Sequence, residues 1–152
     1  MLRTILLLLV ILGLSTAPTC RAQERGNWRA ASKTAQSITG DVIFGNEKIT
    51  MNFLSVVVAQ IRPLTPSEIP TVFDGTNAAA GTGHLYRLSI PADKRFLHKN
   101  TLCGSEETQW MATYVSGKVL NLAFFSNATP PVFTAEAISN NVNLCGTYTY
   151  VR

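Results

Sequence analysis

The chain has 152 residues, with 13 basic and 9 acidic side chains and a formal net charge of +4. Removal of residues 1–22, argued below, leaves 130 residues and a charge of 11 − 9 = +2, because Arg3 and Arg21 are lost. A net positive charge this small does not favour a nucleic-acid partner. A chain of this length suits one domain, and its wealth of Thr, Val and aromatic residues favours strands over helices.

Residues 1–22 have the order of a secretory signal peptide. Arg3 supplies a positive start, Ile5 to Leu14 is apolar apart from a glycine, and the residues after it are more polar. The apolar run is about 10 residues, whereas a membrane-spanning helix needs roughly 20, so we expect no permanent membrane span. The pattern predicts a secreted or periplasmic protein.

Cleavage is expected between Ala22 and Gln23, because signal peptidase selects small residues before the bond. Two alternatives stay open: cleavage after Ala17, and lipid attachment at Cys20 in place of cleavage after Ala22.

Two cysteines remain in the processed chain, Cys103 and Cys145, each in a Leu-Cys-Gly tripeptide. A cysteine pair in an oxidising compartment normally bonds. The sequence therefore predicts a structural disulfide, worth about 4 kcal/mol in the loop-entropy model.

The processed chain begins with a polar arm over residues 23–37, followed by a β domain over 38–152. Alternation of apolar and polar residues, with turn residues between, predicts about seven strands. These cover 40–44, 48–53, 56–61, 84–90, 109–115, 118–125 and 146–151. The β-branched 56–61 run is expected to be a buried central strand, and Ser116-Gly117 a hairpin turn. The fold class is all-β, a small antiparallel sandwich or barrel with one disulfide.

Two long connections are the candidate contact surfaces, 65–83 and 91–102. The first contains Asp74 and Asn77. The second carries a basic cluster around Phe96 and Leu97, formed by Lys94, Arg95, His98 and Lys99. This cluster suits an acidic partner: an anionic lipid, a polysaccharide or an acidic protein surface. The alternative is a solvated loop beside a packed aromatic residue.

Catalytic and metal-binding patterns are lacking in the sequence. His84 and His98 have no second ligand at helix or strand spacing, and zinc needs three or four ligands. Glu106 and Glu107 are adjacent, so on a strand they would face opposite sides. The sequence has neither a nucleophile elbow nor a phosphate-binding loop. We therefore expect no metal, no cofactor and no enzymatic activity.

The order of several segments resembles small exported bacterial proteins of unknown function. The segments that carry this resemblance are 37–42, 85–87, 100–104, Trp110 and 144–150. The architecture is also similar to that of periplasmic lysozyme inhibitors, which are small disulfide-tied antiparallel barrels. Their Ser-Gly inhibitory motif followed by Tyr has no counterpart at Ser116-Gly117, so this second similarity is one of architecture.

The function expected from these observations is an exported binding or envelope-associated module of unknown ligand. A protein inhibitor of a hydrolase such as lysozyme is one alternative, and an uncatalogued hydrolase is another.

Overall fold

The structure is a computed structural model and describes residues 23–74 and 76–152. The expected signal peptide, with Ala22 and Cys20, lies outside the described residues.

Nine strands and three short helices make up the described chain. The strands are β1 (Gly26–Ala30), β2 (Val42–Phe44), β3 (Lys48–Met51), β4 (Leu54–Val57), β5 (Ala59–Pro63), β6 (Thr82–Ile90), β7 (Thr108–Ser116), β8 (Val119–Phe125) and β9 (Leu144–Val151). The helices are α1 (Lys33–Ile38), α2 (Glu68–Val72) and α3 (Ala135–Ser139), and single 3₁₀ turns cover Ala78–Ala80 and Leu97–Lys99.

All nine strands join one antiparallel sheet in the order β4-β3-β2-β1-β9-β8-β7-β6-β5. The prediction of an all-β antiparallel fold is confirmed, whereas the expected strand count and the sandwich or closed-barrel form are not. The sheet is a single open one with nine strands. One additional strand, β1, lies within residues 23–37, the segment that the sequence assigns to a polar arm, and its Trp28 is fully buried.

The other additional strand arises because the 56–61 run is split at Val58. The backbone N–H of Val58 donates to the Glu47 carbonyl at 2.9 Å, and the chain then passes directly from β4 into β5. These two strands are the edges of the sheet, not its centre. The exposed Val57, beside the buried Val56 and Val58, shows the half-buried character of this segment.

The sheet curls so that one face encloses the larger apolar core. Residues from both ends of the strand order pack there, including Val56 of β4, Trp28 of β1, Tyr150 of β9 and Leu88 of β6. The outer face of β6, β7 and β8 forms a second core under α2 and α3. Its members are Leu64, Ile69, Val72, Phe73, Leu85, Trp110, Ala112, Tyr114, Ala123, Phe125 and Phe133.

The predicted hairpin is confirmed by the continuous β7–β8 register, from Trp110 opposite Phe125 to Ser116 opposite Val119. Its turn lies at Gly117-Lys118, one residue later than the sequence predicts. The positive φ of 56° at Gly117 explains the choice, because glycine reaches this conformation without a steric penalty.

The predicted disulfide between Cys103 and Cys145 is present, with Cα atoms 4.9 Å apart. It joins the segment before β7 to the start of β9. Within residues 23–74 and 76–152, no helix is long and apolar enough to span a membrane.

Replacement of both cysteines by serine should lower the free energy of unfolding by about 4 kcal/mol, because the bond closes a loop of 42 residues in the unfolded chain. Urea denaturation of the wild type, the double variant and the wild type with a reductant measures this. The reductant should destabilise the wild type and leave the double variant unchanged. Equal stability of oxidised and reduced wild type would contradict the role assigned to the bond.

Candidate functional site

The six predicted contact residues do not form one surface. Connections 65–83 and 91–102 precede and follow β6 (Thr82–Ile90). At about 3.3 Å per residue the strand is roughly 30 Å long, so the two connections lie at opposite ends of it. Asp74 and Asn77 are therefore remote from the basic cluster.

Connection 65–83 is tied into the fold by local structure. It contains α2, whose Glu68 forms an ion pair with Arg62 at 2.8 Å. The Asn77 side chain accepts the Ala79 N–H at 3.0 Å, and the Asn77 carbonyl accepts a hydrogen bond from the Tyr114 hydroxyl. Asn77 thus has a structural role, and Asp74 is a solvated charge in this connection.

Connection 91–102 presents its basic side chains to solvent. Phe96 is buried, and its N–H donates to the Asn100 carbonyl at 2.8 Å. Between them the chain makes a tight turn, with His98 and Lys99 both at positive φ, 55° and 61°. Lys94, Arg95, His98 and Lys99 are all exposed.

A second tight turn, at Asn52-Phe53 between β3 and β4, lies beside this basic connection. Both residues have positive φ, 45° and 64°, which are the values of a two-residue hairpin turn that normally takes Asn-Gly. Phe53 occupies the glycine position, and its side chain is fully exposed. A bulky residue in the left-handed region costs about 1–2 kcal/mol, and this side chain gains nothing from burial.

Open grooves on both sides of the β3–β4 turn bring the turn and the basic connection together. One groove of about 310 Å³ is lined by Ile43, Phe53 and Leu97, together with Asp41 and Thr50. The other, of about 350 Å³, lies between β4 and the end of β6 and is lined by Lys94 and by Leu54, the residue after Phe53. We call Phe53, Leu97, Lys94, Arg95, His98 and Lys99 the aromatic–basic surface.

A buried polar cluster lies elsewhere, on the inner face of the sheet. The wholly buried Glu24 accepts hydrogen bonds through Oε1 from His84 Nδ1 at 2.6 Å and from the Thr113 hydroxyl at 2.8 Å. The indole of Trp28 donates to the Glu24 carbonyl oxygen at 2.6 Å. Glu24 Oε2 has no hydrogen-bond partner among the described protein atoms.

This cluster holds Glu24 ionised. Burial alone would raise the pKa of its carboxyl, but the hydrogen bond and charge of His84, with the Thr113 hydroxyl, outweigh burial and keep the pKa below its usual value. A carboxylate that orients an imidazole is half of a general-base arrangement. The Thr113 hydroxyl is engaged in the same cluster, where it accepts the His84 backbone N–H at 3.2 Å. The geometry is therefore that of a structural hydrogen-bond cluster.

Sequence reasoning missed two of these features. Glu24 and His84 are 60 residues apart, and no spacing rule joins them. The sequence pattern places Phe53 at the end of a strand, since Asn52-Phe53 lacks the glycine that signals a hairpin.

No protein-family model, no curated protein and no solved structure matches the chain.

The Phe53→Gly variant should be more stable than the wild type by about 1 kcal/mol, because glycine relieves the left-handed backbone and no buried contact is lost. The more flexible unfolded chain offsets part of this gain. Phe53→Ala is the matched control, since it removes the ring and keeps the strain, and it should leave stability nearly unchanged. A glycine variant less stable than the alanine variant in urea denaturation would show that the turn is not strained.

Replacement of Glu24 by glutamine should destabilise the protein at pH 7 by about 1–3 kcal/mol, because the buried carboxylate that accepts the hydrogen bonds of His84 and Thr113 is lost. The folded pKa of Glu24 is lowered, so its stabilisation is complete above the unfolded value of about 4.3 and disappears as the pH falls through the folded value. The difference in the free energy of unfolding between wild type and variant should therefore decrease below about pH 4. Thermal unfolding between pH 2.5 and 7 measures it, with Glu106→Gln, an exposed residue, as control. A difference independent of pH would contradict the ionised assignment.

Proposed function

We propose that the protein is an exported, non-enzymatic binding module that contacts an acidic envelope or extracellular partner through the aromatic–basic surface. The observation that carries this proposal is the fully exposed Phe53, held in a left-handed turn beside the basic connection. Secretion or a periplasmic location agrees with the disulfide, because such bonds persist in oxidising compartments.

Exposure of Phe53 supports a binding role on energetic grounds. A large apolar side chain contributes about 1.5–3 kcal/mol when it leaves water, and the isolated fold does not use this gain. Burial against a partner would use it, and aromatic residues are common among those that dominate binding energy. The strained turn that presents the ring has a cost in stability that only binding would offset.

Charge supports an acidic partner. Lys94, Arg95 and Lys99 lie in neither of the two ion pairs that the described residues form, Arg62–Glu68 and His84–Glu24. Their charges are therefore free to attract an anionic surface and to accelerate encounter with it. The other candidate connection, 65–83, lacks such an excess of basic residues.

An inhibitor of a hydrolase is the second candidate, favoured by one observation. The Asn52-Phe53 turn projects a single aromatic ring from a rigid two-residue hairpin, a shape that suits insertion into the cleft of another protein. The hydrolase alternative has the Glu24–His84 pair in its favour. That pair is weaker support, because Glu24 is wholly buried and Thr113 is engaged within the cluster.

A pull-down from envelope extract tests the binding proposal, with immobilised protein of residues 23–152 as bait. The wild type should retain a partner at low salt and lose it at high salt, because screening weakens attraction between exposed charges. Phe53→Ser and the Lys94→Glu/Lys99→Glu double variant should each lose retention. Lys118→Glu is the matched control: Lys118 is exposed and lies in the β7–β8 turn, at the opposite end of β7 from the basic connection.

Retention that persists in both surface variants would overturn the assignment of this surface. If the immobilised wild type retains no component of the extract at low salt, the binding proposal itself is overturned. Retention of one hydrolase, with loss of its activity, would support the inhibitor candidate.

A further inference from the structure

We propose that the acidic partner of the aromatic–basic surface is the headgroup region of an anionic phospholipid bilayer, with Phe53 inserted at the interface. This inference rests on the proposed function and names the chemical class of its partner. Three features carry it: the projecting aromatic ring, the basic side chains on both sides of it, and the open form of the grooves between them.

The apolar part of the surface extends beyond one ring. The groove behind Phe53 is also lined by Leu97 and by Ile43, whose side chain is 52% exposed although it is large and apolar. These three residues come from the β3–β4 turn, connection 91–102 and β2. Phe and Leu side chains form the apolar face that peripheral membrane-binding segments insert at the boundary between headgroups and acyl chains, so the projecting ring would enter first and the other two would follow.

Basic side chains flank this apolar centre. Lys94 lines the groove on the β4 side of the turn, whereas Leu97, on the Ile43 side, leads into His98 and Lys99. An inserted ring between long, exposed cations matches a flat anionic surface, where phosphates surround the insertion point. A protein cleft would instead meet the cations on its rim with acidic side chains at fixed positions.

Three acidic residues reduce the local positive charge. Asp93 belongs to the same connection, and Asp41 lines the Phe53 groove, where its carboxylate accepts the Ala30 N–H at 2.9 Å. Glu107 accepts a hydrogen bond from the Ser89 hydroxyl, which lines the Lys94 groove. Lys94, Arg95 and Lys99 against these three leave a local balance of 3 − 3 = 0. Net charge alone therefore gives no attraction, and we expect binding to require insertion of Phe53 and a bilayer rich in anionic lipid, whose phosphates the exposed cations contact.

Vesicle sedimentation with protein of residues 23–152 tests the inference. The protein should sediment with phosphatidylcholine vesicles that contain about 30 mol% phosphatidylglycerol, and not with pure phosphatidylcholine vesicles. Raising the salt from about 0.1 M to about 0.5 M should release it. Phe53→Ser should bind at least about tenfold more weakly, and the Lys94→Glu/Lys99→Glu variant at least about 30-fold more weakly, whereas Lys118→Glu should bind like the wild type. Thermal unfolding of each variant verifies that it is folded.

Fluorescence of the Phe53→Trp variant gives a direct readout of insertion. The two natural tryptophans, Trp28 and Trp110, are buried, so a shift of emission to shorter wavelength on addition of anionic vesicles reports residue 53. Binding of all variants alike, or a tryptophan emission that does not move, would overturn the inference.

The failure of this inference can be told apart from failure of the proposed function. If the protein ignores vesicles but retains an envelope protein in a Phe53-dependent manner, the surface binds a protein and the lipid assignment is wrong. If it retains neither vesicles nor any component of the extract, the proposed function fails as well.

Discussion

Packing on the inner face of one curled sheet is the constraint on which the rest of this structure depends. Alternate side chains of the strands point inward and bury one another, among them Trp28, Phe44, Leu122, Phe124 and Tyr150. Aromatic and branched side chains therefore fill the interior, which in a β-barrel of larger diameter could hold a small ligand. A function based on contact must then use the outside of the sheet or its connections, which is where the aromatic–basic surface lies.

The buried polar cluster shows how the N-terminal segment is held against that core. Glu24 is the only acidic side chain among the buried described residues, and the hydrogen bonds from His84 and Thr113 make this burial tolerable. The same segment leads into β1, which pairs with β2 on one side and β9 on the other. Residues just after the expected cleavage site thus help to complete the sheet and are not a loose extension of it.

Features that depend on local pattern could be predicted from the sequence. The β7–β8 hairpin follows from alternation around a glycine turn, and the disulfide follows from counting the cysteines that remain after residue 22. The exposure of the basic cluster was also predictable, since four polar residues surround a single buried Phe96. Its acidic partner remains a proposal.

Features that depend on long-range pairing could not be predicted in this way. Strand β1 has one buried apolar residue, Trp28, and too little alternation to be recognised. The split at Val58 follows from strand pairing: β4 pairs with β3, and β5 pairs with β6. The two halves of the 56–61 run therefore lie at opposite edges of the sheet. Phe53 sits in a turn whose sequence contradicts local preference, and such conflicts are expected where a residue serves something other than stability.

The Cys103–Cys145 bond makes a covalent ring of the chain between its two sulfurs, and this ring contains β7, β8 and α3. One exposed stretch of this ring is 128–130, between β8 and α3, where all three residues are exposed. Cleavage of one peptide bond there by a protease would leave two polypeptides, with β7 and β8 on one and β9 on the other. The bridge and the β8–β9 ladder would still join them. A single cut in this exposed stretch would therefore leave the two pieces joined as one folded unit.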